Sequence, residues 1–529
     1  MQESSITRKS IKTDEFIDNE GVSINGTMAG RKLQVAEIME KLGEFGRLHY
    51  QLLIWCILIS LATTANQNAI AFVMQDPVFF CKDDIGGFYE CTQERACKNV
   101  YGYRLEYDKE SIIIDHRLYC DQRWMKIWGE SIIFIASSVL STLLMFIIER
   151  FGRKTVFFVV TILTFVFNVI LLLSKNYWTV VTCFTMLWAL SYLYNTNFYV
   201  YSTEVFNGKW RSIANSAFFF FNNVFKIIYV LLCFTISDYK GNYWIMFMLG
   251  VLFLPLVFFI VETPYHFHRV GNVKALKENL EYFNAVNNKG KLALIEDNNK
   301  IIAHSLKVEA LTQQQLVDVS TQEISRKSKK AVFNDKLTLC NYIFHLTLIT
   351  ITIVPNYVAS ALTDTIPTKL GISNIYISSI AFAVVYIISN FILIFTLHKI
   401  PRKKGNIIII LLLVILSIVL LSFSIIGIHH AKATRWTELG LTMIGTGLRM
   451  AQFLLIQRYV NEVFPTKLRA ISIAIVLEIG RSSMFIGNLF DVLADKTDVH
   501  PFVYMGTLCL LTLPCFWRYE ETLNKPTKN

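Results

Sequence analysis

The stretch IIERFGRKTVFF, residues 147–158, sets Glu149, Arg150, Arg153 and Lys154 within six residues, around a single glycine, Gly152. Apolar sequence long enough to cross a bilayer, about 20 helical residues, lies on each side. The charged knot therefore reads as a tight turn between two antiparallel membrane helices, with glycine supplying the turn geometry. Similar apolar runs recur along most of the chain. Of 529 residues, 53% are hydrophobic and 17% charged, and the mean hydropathy is +0.43. These values point to a polytopic all-α membrane protein.

The net charge of +11 does not indicate nucleic acid, because the basic residues gather in short turns between apolar runs and in one long loop. Twelve spans are expected, at about 50–73, 125–148, 155–174, 178–201, 214–236, 243–261, 336–361, 375–398, 406–428, 437–460, 470–490 and 501–517. Arg150, Arg153 and Lys154 follow the second span. Lys399, Arg402, Lys403 and Lys404 follow the eighth, and Lys467 and Arg469 the tenth. All fall on one side, as do both termini, and the positive-inside rule makes that side cytoplasmic. Residues 1–48 are polar, with no apolar signal core. They read as a cytoplasmic tail, and the first span as its own uncleaved signal.

Residues 49–261 form a first six-span half and 335–517 a second, followed by a tail at 518–529. The central loop, 262–334, is expected in the cytoplasm. Val273, Leu276, Leu280 and Phe283 give its first part helical spacing, whereas 287–330 is polar and expected to be mobile. The outer loop at 75–123 holds Cys81, Cys91, Cys97 and Cys120, four of the ten cysteines. An even count in an oxidising compartment predicts two disulfides, with three pairings open.

The six-plus-six layout and "MFIIERFGRKT" (145–155) resemble the major facilitator superfamily, whose loop after span two carries G-x-x-x-D-R-x-G-R-K/R. Glu149 stands in the Asp place, and the turn's charges could latch one half to the other. Further segments resemble its organic cation/anion/zwitterion branch. They are "EIMEKLGEFGRLHYQ" (37–51), "RLYCDQRW" (117–124), "STEVFNGKWRS" (202–212), "VETPYHFHRVGNVKAL" (261–276), "NEVFPTKLRA" (461–470) and "ETLNKP" (521–526). The resemblance marks Glu149, Arg150, Gly152, Arg153, Lys154, Glu204, Arg211, Glu462 and Arg469 as gating and loop-motif residues. There are departures. Met145 replaces the motif's first glycine, and "HKIPRKK" (398–404) puts His398 and Pro401 in the Asp and Gly places of the loop after span eight.

A substrate is expected near the midplane, between the halves. Trp188, Tyr192, Asn195 and Tyr199 form one stripe on span four, an aromatic face suited to organic cations or to packing. Asn215, Asn222 and Lys226 share a face of span five, and a lone mid-span ammonium usually faces a wet cavity or a partner. Glu478 and Arg481, three residues apart on span eleven, lie on one face and either select charge or neutralise each other. In the branch, anion carriers have a basic residue at the position of Arg481 and cation carriers an acid nearby. The second anion-linked base corresponds to Asn390 and is missing.

With Arg449 added, the spans' charges favour anionic or zwitterionic small organic substrates. No carboxylate in the first half suits a proton relay, so uniport or exchange is expected, at the plasma membrane. An organic cation carrier is one alternative. A transport-deficient sensor or membrane partner is the other. Neither a phosphate-cradling loop, a metal-spaced cluster nor a nucleophile elbow is present, so no enzyme activity, cofactor or metal is expected.

Overall fold

The computed structural model describes residues 45–82, 87–91, 93–98, 102–106, 110–148, 151–206, 208–236, 238–287, 336–362, 375–396, 399–426, 432–464, 466–497 and 499–522. Each apolar run is helical, because in hydrocarbon a backbone must satisfy its own hydrogen bonds. The N-terminal half comprises α1 (Arg47–Val73), α2 (Arg123–Ile148), α3 (Arg153–Leu173), α4 (Tyr177–Val205), α5 (Gly208–Thr235) and α6 (Tyr239–Phe253). The C-terminal half comprises α7 (Lys336–Leu362), α8 (Ile375–Thr396), α9 (Arg402–Ile426), α10 (Lys432–Val463), α11 (Thr466–Ser482), α12 (Met484–Thr497) and α13 (Pro501–Trp517).

Among the described residues, nine helices are long and apolar enough to cross a membrane by themselves. The other three crossings have separate explanations. The α4 helix is buried on nearly every side, so it carries Tyr, Asn and Thr where lipid-facing helices carry Leu and Ile. The eleventh crossing was expected as one helix over 470–490. It is two, α11 and α12, broken at Ser483, whose N–H donates to Ile479 O at 3.3 Å and Gly480 O at 3.1 Å. The twelfth, α13, is short and starts at Pro501, with His500 Nδ1 capping Phe502 N–H at 3.2 Å. Pro255 turns the end of α6 into a 3₁₀ segment, Leu254–Phe259.

The basic turns lie at one end of the bundle, called here the basic end. A small domain lies at the other, the disulfide end. Its strands β1 (Val78–Lys82), β2 (Phe88–Cys91) and β3 (Tyr103–Glu106) form an antiparallel sheet in the order β2-β1-β3. Of the three open pairings, the structure has Cys81–Cys91 and Cys97–Cys120. Tyr239 Oη at the start of α6 donates to Asp115 Oδ2 at 2.6 Å, and Lys126 at the start of α2 pairs with Asp76 at 2.6 Å. These contacts fasten the domain to the N-terminal half.

In the central loop, helices Pro264–Val270 and Val273–Asn287 are present. Leu276, Leu280 and Phe283 are buried as their spacing predicted. Asn287 Oδ1 accepts from Leu48 N–H at 2.9 Å, tying this helix to the start of α1. The polar stretch from 288 onward lies outside the described residues. The halves meet where α5 packs along α8 and α2 along α11, with α4 also touching α11.

Candidate functional site

Between the halves, toward the disulfide end, lies a cavity of about 80 Å³. Gln67, Asn68 and Phe72 of α1, Trp188 of α4 and Lys226 of α5 line it from one half. Ser379 of α8 and Met484, the first residue of α12, line it from the other. At its outer edge Phe72 stacks on Tyr376 with centroids 5.1 Å apart, joining the halves. On the basic side Phe219 of α5 meets Phe453 of α10 edge-on at 5.6 Å. The cavity thus lies between two aromatic contacts that each join the halves.

Lys226 is half-buried and lines this cavity. Among the described residues no carboxylate pairs with it. One turn earlier, Asn222 Oδ1 accepts from Ser60 Oγ at 2.7 Å and Thr64 Oγ1 at 3.3 Å. Asn222 is therefore a tie between α5 and α1, and only the Lys226 end of the span-five face is free for a ligand. Asn215 is likewise engaged, accepting from Ser202 Oγ at 2.7 Å.

The α4 stripe divides along its length. Trp188 lines the cavity, edge-on to Phe134 at 5.0 Å and to Tyr192 at 5.6 Å. Tyr192 is one turn below, and its ring is occupied by the Arg481 guanidinium, 4.2 Å from the centroid. Asn195 follows, half-buried, and its Oδ1 accepts no hydrogen bond from a described residue. Tyr199 stacks on Phe219 at 5.5 Å and is packed away. A stripe on one helix face therefore spans a cavity wall, a cation-bearing layer and an aromatic packing layer.

Glu478 and Arg481 form an ion pair on their own helix. They are only 2% and 5% exposed. Thr196 Oγ1 of α4 donates to Glu478 Oε1 at 3.4 Å across the interface. Of the two alternatives their spacing left open, the structure has the pair, and Lys226 takes no part in it. Arg449 is held differently: its Nη1 donates to Asn356 O at 2.8 Å and its guanidinium lies 5.3 Å over the Tyr386 ring. Asn390 Nδ2 donates to Tyr386 O at 2.9 Å within its own helix.

The turn motif builds a clamp at the basic end. Arg153, 1% exposed, pairs with Glu204 at 3.0 Å, and Thr263 Oγ1 donates to Glu204 Oε2 at 2.7 Å. Glu262 accepts the N–H groups of Arg153 and Lys154 at 2.8 and 2.9 Å, holding the open amides of α3. Gly152 has φ 82° and ψ 160°, a region essentially reserved for glycine, and a Cβ there would lie 2.6 Å from Glu262 Oε2. The Lys154 side chain is exposed. Glu149 and Arg150 lie outside the described residues.

The C-terminal half repeats this clamp. Arg402 pairs with Glu462 at 2.9 Å, Thr522 Oγ1 donates to Glu462 Oε2 at 2.6 Å, and Glu521 accepts the N–H groups of Arg402 and Lys403 at 2.9 and 3.2 Å. Arg458 also donates to Glu462, at 2.9 Å. The turn charges were expected to latch one half to the other. Among the described residues these ion pairs instead close within each half, because each Arg pairs with a Glu on a neighbouring helix of the same six. Arg211 Nε donates to Phe206 O of its own half at 3.3 Å, while its charge lies within electrostatic reach of Glu462 in the other half. Arg469 is in α11, with its side chain outside the described set.

Four clamp residues, Glu262, Thr263, Glu521 and Thr522, were not singled out in the sequence. Their signal was available as an E-T pair following both the sixth and the twelfth span. Thr196, Gln67 and Asn68 had no comparable signal.

Solved structures with the same architecture include the proton:xylose symporter XylE bound to 6-bromo-6-deoxy-D-glucose. It has TM-score 0.59 and 14% identity, covering 90% of this chain and 97% of that one. The inward-open xylose transporter XylE from E. coli gives TM-score 0.58 at 14% identity, over 90% and 98%. At this identity the likeness is one of fold. Solute carrier family 22 member 16 of Xenopus laevis is 23% identical over 208 residues, a match spanning 37% of this chain and little more than a third, 36%, of that protein. The family model described as Major Facilitator Superfamily matches residues 127–488. With more than half of its length matched and its helices arranged as two six-crossing halves with a cavity between them, the chain belongs to the major facilitator superfamily.

Proposed function

We propose that this transporter carries small organic anions or zwitterions by alternating access, as a uniporter or exchanger of the plasma membrane. The observation carrying the reading is Lys226, an ammonium in the cavity between the halves with no carboxylate partner among the described residues. A charge at that depth is costly unless it meets water or an anion. The competing idea, a cation carrier built on the α4 aromatics, loses support because Arg481 already covers the Tyr192 ring. The motifs that resemble the organic cation/anion/zwitterion branch support an organic ion as cargo. The basic turns and the cysteine-bearing loop support a cytoplasmic basic end, with both termini inside.

Tracer uptake in cells tests the reading with benzoate, tetraethylammonium and benzamide as anionic, cationic and neutral probes. Lys226→Gln at unchanged surface level should raise the benzoate KM by ~10-fold or more, the usual worth of a charge-assisted hydrogen bond. Benzamide handling should not change. Normal benzoate kinetics in the variant, or wild-type uptake of tetraethylammonium alone, sinks the anion assignment. In the same cells an epitope inserted at Gln314 should label only after permeabilisation, and labelling of intact cells overturns the orientation.

A further inference from the structure

The layer beneath the cavity contains a second cation, and its surroundings differ from those of Lys226. Tyr192 is one turn from Trp188 on α4, and Arg481 is three residues from Met484 across the α11–α12 break. Trp188 and Met484 both line the cavity, so Arg481 sits directly under its floor. There the guanidinium is engaged on two sides. One edge donates to Glu478 Oε1, and the flat face lies on the Tyr192 ring. Thr196 reaches the same Oε1 from the opposite half, and Glu478 Oε2 accepts no hydrogen bond from a described residue. A carboxylate on a guanidinium, over an aromatic face, is the arrangement a bound organic acid would adopt.

We propose that Glu478 is a built-in carboxylate that fills the Arg481 anion site from within, so that the transporter reads one negative charge, through Lys226, and rejects dianions. The inference rests on the anion reading above and narrows it to monocarboxylates. Because both partners stand on one helix, three residues apart, the pair stays neutral however the halves move. Arg449, another buried cation of the C-terminal half, is engaged by Asn356 O and the Tyr386 ring, so among the described residues a second carboxylate on a substrate would meet no cation free of a partner in this layer and would face Glu478 instead.

Titrations of the purified full-length protein in detergent, with butyrate and succinate as probes, test this by calorimetry. Wild type should bind butyrate at least ~10-fold more tightly than succinate. Glu478→Gln removes the carboxylate charge from Arg481 and should improve succinate affinity by ~10-fold or more. Glu478→Asp, which keeps the charge, should retain the rejection. A folded Glu478→Gln protein with no gain in succinate affinity overturns the proposal, as does wild-type binding of succinate as tight as that of butyrate. If Glu478→Gln fails to fold because Arg481 is stranded, the double variant Glu478→Gln/Arg481→Gln decides. Butyrate affinity within about twofold of wild type supports the proposal, and a loss of ~10-fold overturns it by putting Arg481 on the substrate. Failure of the anion reading shows separately: Lys226→Gln would then leave butyrate affinity unchanged, while the succinate gain in Glu478→Gln would remain.

Discussion

At the basic end of the N-terminal half, Glu204 holds Arg153 and Glu262 caps the start of α3. At the same end of the C-terminal half, Glu462 holds Arg402 and Glu521 caps the start of α9. Arginine, two carboxylates and a threonine recur in matching places. The turns that introduce them do not match. Gly152 enters the first clamp with a glycine-only backbone, whereas Pro401 enters the second. Both turns leave the first amides of the following helix free for a carboxylate, one by opening the backbone and the other by a residue that suits a helix start. The second difference is load. Glu204 receives one arginine, and Glu462 receives Arg402 and Arg458. What recurs is the charge geometry, and the turn chemistry is free to vary around it.

The sharpest break in that comparison comes from the shared carboxylates. Glu462→Ala takes the carboxylate from two guanidinium groups, one of them fully buried, and should cost about 4 kcal/mol. Glu204→Ala takes it from one and should cost about 3 kcal/mol. Apparent melting temperatures in detergent should follow that order. Equal shifts would mean that Arg458 gains nothing from Glu462.

The turns give a smaller and one-sided effect. Gly152→Ala forces a side chain into a glycine-only backbone and against Glu262, at about 1–3 kcal/mol. Pro401→Ala should stay within about 0.5 kcal/mol, because the backbone there has no positive φ that demands a special residue. A silent Gly152→Ala would show that the first turn relaxes as easily as the second.

The smallest effect should be symmetric. Thr263→Val and Thr522→Val each remove one hydroxyl donated to a clamp carboxylate, at about 1 kcal/mol apiece. A clear inequality between them would deny that the two clamps are equivalent.

Much of this was legible in the sequence, but unevenly. Arg153, Glu204 and Glu462 were marked by their motifs, while their partners Glu262 and Glu521 sat unremarked in segments already quoted. The turn was read as a latch between halves because sequence gives the side of the membrane a charge occupies, not which neighbouring helix it faces. Spacing put Glu478 and Arg481 on one face, since three residues is about one helical turn, and left open whether they pair. Nothing announced that Arg481 would lie on Tyr192. The α4 stripe was periodic from end to end, yet only Trp188 reaches the cavity, because neighbouring helices differ at each level.

By itself, the sequence determined the number of crossings, the gathering of the basic turns at one end, the cysteine-bearing loop and the presence of an intramembrane ammonium. Each of these depends on how one segment partitions between water and hydrocarbon, or on residues within a turn of each other, so a one-dimensional reading suffices. The tertiary structure alone decided the disulfide pairing, the break at Ser483, the closure of each clamp within its own half, and the contrast between a covered Arg481 and an available Lys226. These depend on how each helix is rotated about its axis and which neighbour it meets there, quantities set by packing across the whole bundle rather than by any local stretch of chain.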